Sequence, residues 1–215
     1  MNVHTLFLDL ASNSQLIALV QDERTVGLMK IESKTGEEQL LPFIEGLLTK
    51  ANITFKDLNR IASTTGPGGF MSLRVGISLA NALSDSLGIP LAGVHLSEAW
   101  RERVARNQWL VGRILWVHST KREALFVREY EESAKNWLKP TLIKVSELQS
   151  ATALTTDHLP LITSYVGELI DSQQAALPKL QKMEKLMSIE EVLPTLLATL
   201  KYEMKPLEPW YGRGA

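Results

Sequence analysis

The segment Gly66-Pro67-Gly68-Gly69 stands between an apolar, β-branched run, Ile61 to Thr65, and a long stretch of helical apolar periodicity, Phe70 to Leu87. A chain that leaves a strand through these four residues and enters a helix at once approaches other backbone closely, because glycine adopts φ values that side chains forbid. The N–H groups at such a helix start favour an anion or an acidic partner. No Gly-Lys-Ser/Thr follows, so this is not a Walker loop. Two uses stay open: an anion-holding nest, or a tight strand-to-helix connection with no ligand.

The flanking pattern predicts an α/β chain. Thr5 to Leu10, Leu16 to Val20 and Val26 to Ile31 read as three strands of an antiparallel meander, with a turn at Asp22-Glu23-Arg24. A helix follows over Glu37 to Lys50, its apolar side carried by Leu40, Leu41, Ile44, Leu47 and Leu48; Pro42 is tolerable there only near the first turn. Thr54 and Asp57 form an N-cap pair before the Ile61 strand, Gly88 takes the C′ position of the Phe70 helix, and Leu91 to Val94 is a further strand. A meander joined to crossovers implies a mixed sheet flanked by helices. Beyond Leu96 the pattern restarts with a helix over Ser97 to Arg106, Ser97 being its N-cap, and a hairpin of Ile114–His118 with Ala124–Tyr130. Strands at Thr141–Val145 and Leu161–Ser164 follow, and capping boxes open helices at Ser146 and Ser188. Two lobes are expected: residues 1–98, and a smaller one over 99–215 whose terminal helix can return to the first.

Hydrophobic residues make up 45% and charged residues 22% of the 215, enough for a real core in each lobe. The lack of cysteine excludes disulfides and thiolate metal sites and suits a reducing compartment. Residues 1–20 contain Asp9 and alternate with polar positions, unlike a signal peptide or a spanning helix. A cytoplasmic protein without membrane association is expected. Net charge is −1, which argues against a freestanding nucleic-acid binder. Locally, however, Arg101, Arg103, Arg106, Arg113, Lys121, Arg122 and Arg128 face only Glu102 and Glu123. That stretch is either a solvated surface around a domain junction or a local patch for a nucleic acid, with Arg103, Arg106 and Arg113 as candidate contacts.

Within the Phe70 helix, Ser72, Gly76, Ala80 and Ser84 recur every four residues. Small side chains at that spacing let a second helix approach closely, whether a neighbour in the same lobe or a partner.

Around the Gly-rich segment the chain resembles the TsaB (YeaZ) family. Gly66, Pro67, Gly68, Gly69, Phe70, Met71, Ser72, Leu73, Arg74, Val75 and Gly76 follow its Gly-Pro-Gly-Ser-Phe-Thr-Gly-Leu-Arg-Ile-Gly signature. Gly88 to Val94 follow its Gly-Ile-Pro-Leu-x-Gly-Val run, and Glu38, Leu40, Leu41 and Pro42 a helix start whose histidine is Gly36 here. Pro209, Tyr211 and Arg213 resemble its terminal Pro-x-Tyr-x-Arg, whereas residues 100–200 match only in pattern.

The resemblance implies the actin-like ATPase (ASKHA) superfold, with two related lobes, the second degenerate. It further implies a non-catalytic subunit, without cofactor or metal, for threonylcarbamoyl transfer to the tRNA adenosine beside the anticodon. The implied partners are a TsaD-like catalytic subunit, a TsaE-like ATPase, a second copy of the chain when alone, and tRNA through the complex. Partner contacts are expected from Ser72, Leu73, Gly76, Ala80 and Ser84, together with Leu40, Ile44 and Leu47. The catalytic relatives place His-x-x-x-His after the Gly-Val strand; here Leu96 and Trp100 take those positions, and neither binds a metal. His95 is one residue off and has no i+4 partner. Of the phosphate-holding hairpin Asp9 remains, but Ala11 replaces its glycine, and Asp9 is expected to cap the turn. The alternative is a stand-alone actin-like ATPase or small-molecule kinase, using Asp9, Ser12 and the Gly-rich turn as phosphate contacts.

Overall fold

The computed structural model describes residues 2–31, 36–104, 113–131, 136–153 and 162–212. The chain forms two compact units, Met1–Ala99 with Ser188–Tyr211, and Trp100–Met187 with Gly212–Ala215. The segment that returns to the first unit is therefore longer than one terminal helix.

The first unit holds a five-stranded sheet. Strands β1 (His4–Asp9), β2 (Leu16–Gln21) and β3 (Arg24–Lys30) form the antiparallel meander, while β4 (Arg60–Gly66) and β5 (Leu91–His95) run parallel to β1, in the order β3-β2-β1-β4-β5. Leu6, Phe7 and Leu8 of the central β1 are fully buried, because both faces of the sheet are covered. Leu6, Leu8, Ile17, Leu19 and Ile61 meet Ile44, Leu47 and Leu48 of helix α1 (Leu40–Lys50) and Ala80 of α2 (Phe70–Leu87) in one cluster. On the other face Phe7, Ala18, Val20 and Val94 meet Leu193, Leu196 and Leu197 of the last helix.

Local chemistry sets the element ends. A 3₁₀ turn over Glu37–Gln39 precedes α1, which leaves Pro42 in the first turn, where its missing N–H has no intrahelical role. The Asp57 carboxylate accepts from the Thr54 N–H (2.7 Å) and hydroxyl (2.8 Å), and Gly88 ends α2 at φ 65°.

The second unit repeats the pairing scheme. Its strands β6 (Arg113–Lys121) and β7 (Ala124–Glu131) form a hairpin, with β8 (Asn136–Trp137) and β9 (Thr141–Lys144) antiparallel to β7. The strands β10 (Ile162–Glu168) and β11 (Gln181–Lys182) run parallel to β6. Thus β6, β7, β9, β10 and β11 pair as β1, β2, β3, β4 and β5 do. Helices α4 (Val145–Ala153) and α5 (Asp171–Ala176) occupy the places of α1 and α2, shortened from 11 and 18 residues to 9 and 6. The second lobe is a worn copy of the first. Helix α3 (Leu96–Arg103) begins in the first unit and ends in the second, and α6 (Ile189–Ala198) belongs to the first unit.

Two helix starts differ from expectation. Ser97 lies inside α3, fully buried, and His95 is the cap: its Nδ1 accepts from the Ser97 N–H (3.3 Å) and hydroxyl (2.8 Å). Helix α4 begins before Ser146, with the Lys144 N–H donating to the Glu147 carboxylate (3.1 Å). Only the Ser188 box forms as read, with the Glu191 N–H donating to Ser188 Oγ (3.2 Å) and the Ser188 N–H to Glu191 Oε2 (2.8 Å). Pro194 inside α6 withholds an N–H from the Glu190 carbonyl, which accepts the Thr25 hydroxyl instead (2.7 Å).

Candidate partner surface and Gly-rich turn

The turn after β4 is shaped by the chain's own backbone. Gly66 has φ +126° and a cis bond to Pro67; a Cβ there would lie 2.4 Å from the Trp210 carbonyl oxygen. A Cβ on Gly68 would lie 2.5 Å from the Ala11 carbonyl oxygen. These two glycines admit close backbone contact with residues 11 and 210 (Gly69, by contrast, is uncrowded).

Asp9 Oδ1 accepts from the Ala11 and Ser12 N–H groups, both at 3.1 Å, and from the Thr64 hydroxyl at 3.0 Å. It thereby caps the β1–β2 hairpin and ties it to β4, as the reading of Asp9 as a turn cap requires. With Ala11 against Gly68, the hairpin closes onto the turn, and these residues do not fit the phosphate grip of an actin-like ATPase.

A second motif arrives from the far end of the sequence. After α6 the segment Tyr202–Tyr211 runs extended along the first unit. Glu203 and Leu91 exchange backbone hydrogen bonds (2.8 and 2.9 Å) at the free edge of β5. The Asn81 amide donates to the Leu207 carbonyl (3.1 Å) and accepts its N–H (2.8 Å). The Trp210 N–H donates to the Thr65 carbonyl (2.7 Å), and its indole meets the His95 ring edge-on at 5.0 Å. Tyr211 lies against Phe70 at 5.2 Å, and the Arg74 guanidinium sits over the same phenyl ring at 5.3 Å. Sequence reading missed this meeting, since nothing in the Pro209–Tyr211 motif says where it docks.

The structure places the expected partner contacts in the core. Leu73, Gly76, Ala80 and Ser84 are buried, as are Leu40, Ile44 and Leu47; Ser72 is half-buried. A Cβ on Gly76 would touch the Leu10 side chain at 3.2 Å, and the Ser84 hydroxyl donates to the Ile89 carbonyl (2.5 Å). The small side chains let α2 settle onto its own sheet, so they are a packing stripe. The outward face of α2 instead shows Met71, Arg74, Ser78, Ala82 and Asp85. Its small residues Ser78, Ala82 and Ser86 have the same four-residue spacing two positions on, a signal the pattern carried but could not rank.

Leu96 and Trp100, at the expected histidine positions, are both buried, and neither side chain carries an atom that ligates a metal. In the second unit His118 is buried within β6, beside the Glu168 carboxylate at 3.3 Å; it does not end a strand. Arg103 lies over the Trp100 ring at 4.4 Å and donates to the Met187 carbonyl (3.0 Å). Burial lowers its pKa, an effect the Glu168 charge opposes. Arg101 pairs with Glu102, and Arg128 donates to the Leu138 carbonyl (2.8 Å). Arg106 and the side chain of Arg113 lie outside the described residues.

A duplicated α/β lobe, each copy a mixed sheet flanked by helices, is the architecture of the actin-like fold class. The sequence model described as tRNA N6-adenosine threonylcarbamoyltransferase (TsaD) matches residues 30–193. The TsaB protein of Buchnera aphidicola from Acyrthosiphon pisum is 28% identical over 159 residues, 68% of this chain and 71% of that one. A threonylcarbamoyltransferase of Bacillus licheniformis is 30% identical over 125 residues, 57% of this chain but only 37% of its own length. A Pseudomonas aeruginosa crystal structure, described as an uncharacterized protein with similarity to peptidase YeaZ, superposes with a TM-score of 0.71 at 18% identity, over 98% of this chain and all of that one. The chain belongs to the threonylcarbamoyltransferase family and, within it, to the TsaB (YeaZ) members.

Proposed function

We propose that this chain takes part in forming N6-threonylcarbamoyladenosine on tRNA as a non-catalytic subunit. It activates a TsaD-like catalytic subunit, by docking rather than by bond making, for transfer to the adenosine beside the anticodon; a TsaE-like ATPase joins the pair, and the chain works in the cytoplasm. The observation that carries this reading is the pair Leu96 and Trp100, buried and apolar where catalytic relatives are expected to hold metal with histidines. Docking that favours one conformation of the partner shifts its population without supplying a reacting group.

The surface proposed for docking is the outward face of α2, Met71 to Asp85, in place of the buried stripe. Large apolar side chains crowd its start: Phe70 is 56% and Met71 61% exposed. The same face suits a second copy of the chain when no catalytic subunit is present. An antiparallel pairing of two α2 helices about a twofold axis crosses at Ser78 and Ala82 and sets Arg74 of each copy opposite Asp85 of the other.

Reconstitution tests the proposal. The chain with a TsaD-like subunit, a TsaE-like ATPase, tRNA and threonylcarbamoyl-adenylate yields modified adenosine, and omission of the chain abolishes it. Hydrolysis of ATP by the isolated chain in the presence of magnesium, or full modification in its absence, would sink it. No helix among the described residues is long and apolar enough to cross a membrane.

A further inference from the structure

The two terminal anchors of the tail and the Gly-rich turn share one relay of side chains. Tyr211 packs on Phe70, and Phe70 carries the Arg74 guanidinium over its ring, one helical turn along the outward face of α2. Tyr202 and Leu207 of the Tyr202–Tyr211 segment pack against the core, but the segment has no helix and no strand of its own beyond the single bridge at Glu203, and its hydrogen-bonded anchors are Leu91, Asn81 and Thr65. Such a segment opens locally without unfolding the sheet beneath it.

We propose that the docked tail gates the self-pairing face of α2. With the tail seated, Tyr211 holds Phe70, and Phe70 holds Arg74 in the direction from which Asp85 of a second copy is reached. With the tail released, Phe70 loses its neighbour and Arg74 its platform; fixing that long side chain then costs rotamer entropy at the moment of pairing. Tyr211, Phe70 and Asn81 are positioning residues, and Arg74 makes the contact. The gate rests on the α2 reading above, and it adds a control that the surface alone does not have: the far end of the chain decides whether the face is assembled.

The full chain is compared with Tyr211→Ala, Asn81→Ala and Asp85→Arg by sedimentation equilibrium and amide hydrogen exchange. Asn81 is half-buried and exchanges two hydrogen bonds with Leu207, so its variant removes that anchor of the tail while leaving Met71, Arg74, Ser78, Ala82 and Asp85 of the pairing face unchanged. Both tail variants are expected to weaken dimerisation about tenfold, the size of one lost charge-assisted contact. They also lose exchange protection at Thr65 to Arg74 while β1–β3 keep theirs. In the Tyr211→Ala background, Arg74→Ala then adds little further loss. Wild-type dimerisation by both tail variants, with Asp85→Arg monomeric, overturns the gate and leaves the α2 surface standing. Unchanged pairing by Asp85→Arg, or a monomeric wild-type chain, removes the α2 surface and the gate with it.

Discussion

At Gly68 a single methyl group would meet the Ala11 carbonyl oxygen at 2.5 Å and its Cα at 2.7 Å, both backbone atoms with nowhere to go. Gly68→Ala is therefore expected to destabilise the first unit by about 2 kcal/mol or more, of the order seen for overpacking. Gly46, inside α1 with nothing within 4 Å of its missing Cβ, is the opposite case. Gly46→Ala is expected to stabilise by roughly 0.5–1 kcal/mol, and denaturant midpoints of the two variants check both signs. The Ser188 box adds a pH signature. Hydrogen bonds from the Ser188 hydroxyl and N–H hold the Glu191 carboxyl below its ordinary pKa. A folded value below the unfolded one gives stability that is complete above the unfolded pKa and lost as pH falls through the folded one. The stability gap between wild type and Glu191→Gln should thus narrow on acidification through the carboxylate range, as thermal melts across that range would show. Asp9 was legible as a turn cap because an Asp followed by Ser-Asn-Ser has few other uses. The cap at His95 was not, since histidine seldom takes that position and Ser97 offers a more usual one.

On the scale of elements, α2 shows how far periodicity reaches. Its limits were readable from Gly69 and Gly88, and its helical character from the apolar periodicity of Phe70 to Leu87. Which of two small-residue rows faced the sheet was not readable, because Ser and Ala satisfy a core and a helix crossing alike. The burial of Gly76 against Leu10 decides it. Gly76→Leu is accordingly expected to unfold the first unit, measured by loss of cooperative melting. Asp85→Arg is expected to leave the melting temperature within a few degrees and to abolish self-pairing, read by light scattering. Helix α6 makes a similar point: its capping box was plain in Ser188-Ile189-Glu190-Glu191, yet the service of Thr25 to the carbonyl left open by Pro194 appears only once β3 lies beneath it.

For the whole molecule, the duplicated pairing scheme is the firmest feature, and the sequence declared it weakly. Continuous apolar runs in β1 and β2 and the glycine-bounded α2 marked the first lobe, whereas β11 has two residues and α5 six, too short to leave a periodic trace. The return of Ser188–Tyr211 was legible only as a terminal helix free to pack back. Its contribution is large: Val192, Leu193, Leu196 and Leu197 are all buried. At roughly 1.5–3 kcal/mol for each buried aliphatic side chain, their removal rivals the total stability of a domain. A chain shortened to residues 1–187 is expected to lack a cooperative transition in its first unit, which circular dichroism and one-dimensional proton spectra would reveal. This threading also orders events on the ribosome. Strand β4 emerges long before Trp210, and the whole second unit is translated between them, yet Thr65 waits for that tryptophan's N–H. The nascent first lobe thus stays unfinished until Trp210 has been made, and a product terminated before Glu203 leaves the edge of β5 open as well.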